Sequence, residues 1–430
     1  MATNGGSSAS SAVIASSSKA LTSSGPSANS SVRTRYSKVK KVGEGTYASV
    51  FLAKNLETGE SVAIKKIKIN AGAGGGKDGL DPTALREVGF LREMKHQNVI
   101  ALLDVFSSGL ATQSLNLVLE FLDTNMEALI KDRSLIFTPA DVKSWMAMMI
   151  SGLEYCHAVG CLHRDLKPNN LLISPSGHLK LADFGLAREL ALPGTRMTNQ
   201  VITRWYRPPE LLLGARHYSS AVDMWSIGCI FAEVMLRTPY LPGESDADQI
   251  DIICKARGTP STADWPGLTS LPLHHTLTTV NHPRPNHAQL FSAAPRGAVQ
   301  LLDSLLAYSP QKRLSCTKAL QHIYFSSTPR PTSPEQLPRH AKKDEEIAQG
   351  LLSDSREKNA KREGAQKGLG GSTAVESGAG GAGGGAKRKA AEINGGVVGA
   401  GTGAGGKGRS AVTKEMIEER RRIARKMAFG

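Results

Sequence analysis

The 430-residue chain has few cysteines, few aromatic residues and no long apolar run. Its cysteines form no CxxC pair, which argues against a zinc site or a disulfide framework. No uninterrupted apolar stretch reaches the roughly 18 residues that a membrane-spanning helix needs. We therefore predict no membrane association, and isolated core cysteines in a reducing compartment at Cys156, Cys161, Cys229, Cys254 and Cys316.

Both ends of the chain are more basic per residue than its middle. Residues 1–35 carry a net charge of +3 with no acidic residue, 36–330 carry +5, and 331–430 carry +7. Basic tails indicate solvated segments more often than nucleic-acid contacts, so we expect no sequence-specific nucleic-acid binding. The Ser-rich start is similar in composition to a transit peptide, but only one basic residue precedes Arg33. We predict that residues 1–34 are a disordered arm.

The pattern of apolar residues divides the remaining chain into four parts. Residues 35–122 have β-branched alternation and glycine turns, with one helix starting at Pro82, whereas 123–326 are mostly helical. Residues 327–412 are Gly/Ala-rich, basic and predicted to be disordered. Residues 413–430 could form a basic amphipathic helix. The fold class predicted is α+β.

The stretch from His163 to Asn170 is the most informative one, together with Asp183-Phe184-Gly185 after it. This order and spacing indicate phosphoryl transfer from ATP. We predict that Asp165 is the base for the substrate hydroxyl and that Lys167 neutralises the transferring phosphoryl group. Asn170 and Asp183 would hold Mg²⁺. The alternative, an aspartate-rich loop that only caps helices, does not explain four roles at this spacing.

A glycine-rich turn and a strand lysine extend the nucleotide site. Val42, Gly43, Glu44 and Gly45 lie between two predicted strands, where backbone amides could approach ATP phosphates. Lys65 ends the apolar run Val62-Ala63-Ile64, and Glu87, 22 residues later, is its candidate partner. The alternatives are an ordinary hairpin turn and a solvent-facing lysine.

Three other residues in these motifs are predicted to be structural. His163 should be a packed core histidine, neither acid nor base. Asp223 should accept hydrogen bonds from the catalytic-loop backbone, and Glu210 should form a buried ion pair with Arg313.

From Tyr36 to about Arg339, roughly 70% of the chain, these motifs resemble the cyclin-dependent kinases. The closest resemblance is to the CDK-activating kinases that are also the kinase subunit of TFIIH. It is carried by Lys77–Gly79, Pro82–Glu87, Asn169–Leu172, Thr203–Arg207, Leu213–Arg216, Leu241–Asp246, Phe291–Ala294 and Gln336–Arg339. The resemblance implies a bilobal protein-kinase fold, with an N-lobe over 35–122, a C-lobe over 123–326, and ATP and Mg²⁺ as cofactors.

The resemblance also assigns the adenosine contacts. The Glu120 carbonyl and the Leu122 amide would bind adenine, and Asn125 would bind the ribose in place of the family's usual aspartate. The apolar walls of the nucleotide pocket would come from Val42, Val50, Ala63 and Leu172.

The resemblance further implies control by phosphorylation and by a cyclin. Thr198, 15 residues after Asp183, would be phosphorylated and would gather Arg86, Arg164 and Arg188. The alternative is an ordinary exposed threonine. A cyclin would dock on the helix Pro82–Lys95, and the free chain should be nearly inactive.

We expect a serine/threonine kinase, because a lysine two residues after the base, as Lys167 is after Asp165, resembles that class. Expected substrates are the RNA polymerase II tail repeats and activation-segment threonines of other cyclin-dependent kinases. Expected partners are an H-type cyclin, a RING-finger assembly factor and TFIIH, in the nucleus, with Lys387-Arg388-Lys389 as a candidate import signal.

Three rival functions stay open. Thr46 and Tyr47 resemble the inhibitory phosphorylation pair of cell-division kinases, so the chain could be such a kinase. A mitogen-activated kinase is a weaker alternative. A cyclin-binding pseudokinase scaffold is the third, although the intact set from Lys65 to Asp183 argues against it.

Overall fold

The computed structural model describes residues 35–44, 48–68, 82–108, 114–190, 196–277 and 281–339. These residues form two compact units. The strand unit holds the described residues of Met1–Ala84 together with Leu102–Phe121. The helical unit holds Leu85–Ala101 and the described residues from Leu122 onward.

The strand unit is a five-stranded antiparallel sheet in the order β1-β2-β3-β5-β4. One of its faces packs Ala53, Val62, Ile64 and Val118 together, and Phe106 covers them with Tyr36. Small and β-branched residues suit this face because they pack well on a pleated surface. The strands are β1 Tyr36–Glu44, β2 Ala48–Asn55, β3 Ser61–Lys68, β4 Leu102–Ser108 and β5 Ser114–Glu120.

Helices dominate the second unit. They are α1 Pro82–Glu93, whose first turn belongs to the strand unit, α2 Met126–Lys131, α3 Pro139–Ala158, α4 Pro209–Leu212, α5 Ala221–Leu236, α6 Asp246–Arg257, α7 His287–Leu290, α8 Arg296–Leu305, α9 Cys316–Leu320 and α10 Ile323–Ser326. Short 3₁₀ turns cover Pro168–Asn170, Phe184–Leu186, Arg204–Tyr206, Leu268–Ser270, His274–Leu277 and Pro334–Gln336.

Five short strands build two small sheets in the helical unit, ordered β6-β8-β9 and β10-β7. They are β6 Thr124–Asn125, β7 Cys161–Leu162, β8 Leu171–Ile173, β9 Leu179–Leu181 and β10 Arg188–Glu189. The segments between these strands contain the predicted catalytic and metal-binding residues.

The two longest helices begin where the sequence indicates. α3 starts with a capping box, in which Thr138 and Asp141 bond each other's backbone N–H groups, and Pro139 occupies its first turn. α5 is apolar on nearly all sides and buries Trp225 and Ile230 completely, as expected for a central helix.

The segment after α1 belongs to the helical unit, whereas the sequence placed it in an N-lobe over 35–122. Asn98 and Ile100 explain the difference, because their backbone groups bond Leu181 on β9 at 2.9 Å. The backbone N–H of Lys95 also donates to the hydroxyl of Tyr155 on α3.

The ordered helical unit also runs beyond residue 326, so the disorder predicted from 327 begins too early. Lys143 Nζ on α3 donates to the carbonyls of Ser327 at 2.7 Å and Pro329 at 2.6 Å. Thr332 Oγ1 donates to Asp141, and Leu337 is buried. The bonds from Lys143 are accepted by backbone carbonyls, which every residue has. The amino-acid composition of this segment therefore did not indicate that it is ordered.

The α+β class with a strand-built and a helix-built unit confirms the predicted fold. All five cysteines are free and buried, as expected of core residues. Within the described ranges, no helix has both the length and the apolarity to cross a membrane. The predicted helix over 413–430 lies outside the described residues, as do residues 1–34 and 340–412.

Candidate active site

Asp165 is the centre of a hydrogen-bond cluster in the loop between β7 and β8. Its side chain is almost fully buried. Lys167 Nζ lies 2.6 Å from Oδ2, and Asn170 Nδ2 donates to the same oxygen at 3.1 Å and to the Asp165 carbonyl at 2.8 Å. The proposed base, the phosphate-neutralising cation and one candidate metal ligand therefore touch one another.

Thr203 completes this cluster, although the sequence did not single it out as a site residue. Its hydroxyl donates to Asp165 Oδ1 at 2.8 Å and accepts from Lys167 Nζ at 3.2 Å. Both Asp165 oxygens are therefore oriented by neighbouring donors. The available signal was position, since Thr203 directly precedes the Arg204–Arg207 motif that carries part of the family resemblance.

Asp223 fixes the backbone of this loop from within α5, as predicted. Its carboxylate accepts from the backbone N–H of His163 at 3.0 Å and of Arg164 at 2.9 Å, and it contacts His157 Nε2 at 2.9 Å. Burial opposes its ionisation, but these hydrogen bonds and the nearby histidines outweigh burial and lower the pKa of Asp223. An ionised, fully paired carboxylate thus holds the residues beside the base.

His163 has the structural role predicted for it. It is fully buried, its Nε2 lies 3.1 Å from the Ala182 carbonyl, and its ring packs 4.8 Å from that of Phe184. Burial lowers the pKa of His163, so the ring stays neutral.

A backbone hydrogen bond joins the segments that contain Asn170 and Asp183. The backbone N–H of Ala182 donates to the Asn170 carbonyl at 2.9 Å. Asp183 adopts a left-handed conformation with φ 64° and exposes its side chain. A left-handed aspartate is uncommon and marks backbone held by its surroundings at functional sites. Asn170 uses Nδ2 to bond Asp165, and Oδ1 is therefore the atom of this side chain that could bind a cation.

These two residues suit a cation that takes most of its ligands from water and phosphate. Within the described residues, no group of three or more His, Cys, Asp or Glu side chains could hold a metal ion. Mg²⁺ commonly binds one or two protein oxygens together with phosphates and water, so the donor set fits it.

In the strand unit, sheet register aligns several predicted nucleotide residues. Gly43 is opposite Val50, and Val50 is opposite Lys65. Opposite residues share a face of the sheet, and Ala63 shares it too because it lies two positions from Lys65. Val42 is half-exposed, and Glu44 pairs with Lys41 at 2.7 Å. Gly45, Thr46 and Tyr47 lie outside the described residues.

The predicted adenosine residues fall in both units. Glu120 ends β5 of the strand unit opposite Val62. In the helical unit, Leu122 is nearly buried and Leu172 is paired with Asn125. The Asn125 side chain accepts from the Ala128 N–H at 2.9 Å and so caps α2, a role that the sequence did not predict.

The predicted regulatory residues are partly brought together. Thr198 is exposed, and its carbonyl accepts from the Tyr218 hydroxyl at 2.8 Å, which in turn accepts from Arg164 Nη1 at 2.9 Å. Arg86 is exposed and Arg188 half-buried, and within the described residues neither guanidinium forms a hydrogen bond or ion pair. Glu87 is buried on α1.

The activation segment runs from Asp183 to Glu210 and contains Thr198. Two arginines hold its end. Arg313 donates two bonds of 2.8 Å to Glu210, which confirms the predicted buried pair. Arg207 donates to the carbonyls of Val201 at 2.9 Å and Ile202 at 3.1 Å. Ile202 has φ 68°, which is a strong outlier for a β-branched residue.

The protein kinase domain family matches residues 36–325. The chain is 52% identical to the serine/threonine-protein kinase crk1 of Schizosaccharomyces pombe, over 75% of this chain and 94% of that protein. It is 47% identical to cyclin-dependent kinase 7 of Xenopus laevis, over 72% and 87%. Among solved structures, a chain of the CAK complex from Chaetomium thermophilum bound to ATP-γ-S matches with TM-score 0.69 and 46% identity, over 73% of this chain and 98% of that one.

The family match and these relatives show that the chain is an ATP-dependent serine/threonine protein kinase. Within that class, the chain belongs to the cyclin-dependent kinases of the CDK-activating group, which includes cyclin-dependent kinase 7.

Proposed function

We propose that the chain is the kinase subunit of a nuclear CDK-activating complex that is also part of TFIIH. It would transfer the ATP γ-phosphate to RNA polymerase II tail repeats and to activation-segment threonines of other cyclin-dependent kinases. The observation that carries the catalytic part is the cluster of Asp165, Lys167, Asn170 and Thr203. The similarity to a chain of the CAK complex supports the subfamily.

In this reaction Asp165 orients the substrate hydroxyl and accepts its proton, while Lys167 balances charge on the transferring group. Because Thr203 and Lys167 hold one carboxylate oxygen each, the base keeps one orientation through the transfer. Asn170 Oδ1 and Asp183 would hold Mg²⁺, which when bound neutralises charge developing on the phosphates.

The segment beside Thr203 favours proline after the phosphorylated residue. Arg207 already donates to the carbonyls of Val201 and Ile202, so a substrate N–H would have to share an acceptor with the guanidinium. Proline has no N–H to leave unsatisfied. In this chain the residue after Thr198 is Asn199 and not proline. A target kinase with a similar activation segment would therefore need additional contacts elsewhere on the enzyme.

The helical unit exposes apolar side chains that suit a cyclin partner. Leu85 on α1 and Val159 are each 52% exposed, and Leu190 is 47% exposed. The backbone N–H of Leu190 donates to Gly160, which brings Leu190 beside Val159. Exposed apolar clusters mark interaction surfaces. An H-type cyclin is the proposed occupant of this surface.

The other partners and the location rest on the family resemblance. Residues 413–430 are the proposed docking segment for a RING-finger assembly factor. Lys387-Arg388-Lys389 is the proposed nuclear-import signal. A cell-division kinase is the second candidate, favoured by the pair Thr46-Tyr47.

A substrate panel tests this proposal. The chain, co-expressed with an H-type or a division-type cyclin, is assayed on a polymerase-tail peptide, a cyclin-dependent kinase with an unphosphorylated activation segment, and a histone-type peptide. A matched tail peptide with alanine after the acceptor serine is the control. Activity on the first two with the H-type cyclin supports the proposal. Activity only on the histone-type peptide with a division cyclin would identify a cell-division kinase.

The cyclin surface has its own matched pair of variants. Leu85→Glu should prevent capture of the cyclin, whereas Leu103→Glu on β4, also 52% exposed, should leave it intact. Equal behaviour of the two variants would argue against docking at α1.

A further inference from the structure

Tyr218 connects the catalytic loop to the proposed phosphorylation site. Its hydroxyl accepts a 2.9 Å hydrogen bond from Arg164 Nη1 and donates a 2.8 Å bond to the carbonyl of Thr198. A phenol can donate once while it accepts, so both bonds form together. The result is a continuous path from the residue next to the base to the activation segment.

The Arg164 end of this path is fixed. Arg164 is 5% exposed and has φ 61°. Its backbone N–H donates to Asp223, and its Nε donates to the Leu186 carbonyl at 2.9 Å. The guanidinium therefore has a defined position before any phosphate arrives. The direct chain neighbour of this arginine is Asp165.

The Thr198 end is exposed and depends on few contacts. The N–H of Met197 donates to the Arg216 carbonyl at 2.8 Å, and the N–H of Gln200 donates to Thr198 Oγ1 at 3.3 Å. Arg216 and Tyr218 lie on the same loop after α4, so this loop holds the backbone around Thr198. Among the described residues, the Tyr218 bond is the one that leads from there to Arg164.

We propose that Tyr218 is a positioning residue that holds the activation segment against Arg164 while Thr198 is unphosphorylated. This inference rests on the proposed regulatory role of Thr198 and goes beyond it. A phosphate on Thr198 would present an anion to the same guanidinium, and charge-assisted bonds are roughly twice as strong as neutral ones. The phosphate therefore replaces the Tyr218 hydroxyl as the partner of the Arg164 guanidinium. Tyr218 sets how much activity the complex retains without phosphorylation.

The proposal predicts that removing the hydroxyl matters in one phosphorylation state only. Tyr218→Phe keeps the ring and deletes both bonds. In a Thr198→Ala background, where the Thr198 carbonyl position remains but phosphate cannot be added, it should lower kcat about 10-fold, as expected for a lost hydrogen bond to a charged group. In the Thr198-phosphorylated complex the loss should be less than about 2-fold.

The experiment is a four-member cycle on the full chain bound to its cyclin. It compares wild type and Tyr218→Phe, each phosphorylated at Thr198 as checked by mass spectrometry, with Thr198→Ala and the double variant. Tyr308→Phe is the matched control, since it deletes a hydroxyl bond to the Gly258 carbonyl in the same unit. Its effect should not depend on the state of Thr198. Urea unfolding verifies that all variants fold.

The outcomes separate this inference from the proposed regulation. If Tyr218→Phe lowers kcat equally in both states, Tyr218 is only a structural residue and the inference is wrong. It is also wrong if the double variant matches Thr198→Ala. If wild type and Thr198→Ala are equally active, Thr198 phosphorylation does not regulate this kinase. A loss in the double variant would then still support the Tyr218 path.

Discussion

The hydroxyl of Thr203 donates a 2.8 Å hydrogen bond to Oδ1 of Asp165, from 38 residues farther along the chain. Thr203→Val should lower kcat about 10- to 100-fold, because it removes a hydrogen bond to a charged group and leaves the base less well oriented. KM for ATP should change little. Steady-state kinetics of the cyclin-bound chain measures both.

Thr203→Ser is the matched variant, since it retains the hydroxyl. It should keep most of the activity. If the valine and serine variants lose activity equally, the methyl group and not the hydroxyl would be what matters at this position.

The capping bond of Asn125 gives a prediction for nucleotide affinity. Its Oδ1 is used by the Ala128 N–H. Asn125→Asp should keep the cap and add a second acceptor oxygen for ribose hydroxyls, and the helix N-terminus favours the negative charge. KM for ATP should fall about 2- to 10-fold.

The control is Asn125→Ala, which should raise KM for ATP and lower the free energy of unfolding by about 1 kcal/mol. An unchanged KM in both variants would remove Asn125 from the nucleotide site.

The buried pair of Glu210 and Arg313 should contribute strongly to stability. Both side chains are nearly inaccessible, and the contact is bidentate at 2.8 Å. Glu210→Gln should lower the free energy of unfolding by about 3–5 kcal/mol, because the buried Arg313 charge loses its partner.

Urea unfolding at pH 7 tests this value against a surface pair. Arg284 is 67% exposed and bonds Asp264, so Arg284→Gln should cost at most about 1 kcal/mol. Similar losses for the buried and the exposed pair would contradict the interpretation.

Asp303 gives a prediction for acid stability. Burial opposes its ionisation, but hydrogen bonds from His287 and Arg257 outweigh burial and lower its pKa from 3.8. A carboxyl whose pKa is depressed by folding contributes stability above its unfolded pKa of about 3.9, and that stability is lost as pH falls through the folded value.

The stability difference between wild type and Asp303→Asn should therefore be present at pH 5 and shrink as pH falls from about 4 to 3. Urea titrations at each pH measure it. A difference that stays constant to pH 3 would contradict the depressed pKa.

The sequence predicted best those site residues that lie close together in the chain. Asp165, Lys167 and Asn170 bond one another within five residues, so their spacing alone carries the chemistry. Asp223 and Arg313 were also predicted, because their structural roles accompany specific motifs.

Long-range contacts were not predicted where the residue carries no recognised structural role in a motif. Thr203 and Tyr218 are common residue types that reach Asp165 and Arg164 across 38 and 54 residues. Nothing local requires them, since only the path of the activation segment brings them there. The C-lobe boundary at residue 326 was drawn too early for a similar reason, because Lys143 holds Ser327 from 184 residues away.

In the proposed function, Asp165 acts in a cyclin-dependent phosphoryl transfer to the polymerase tail. The most direct test measures phosphate transfer to a tail-repeat peptide by the purified chain, with and without an H-type cyclin, using Asp165→Asn as control. Transfer should occur only with the cyclin, and Asp165→Asn should lower it about 10²- to 10⁴-fold. Equal activity of Asp165→Asn and wild type, or no transfer with any cyclin, would show that the proposed function is wrong.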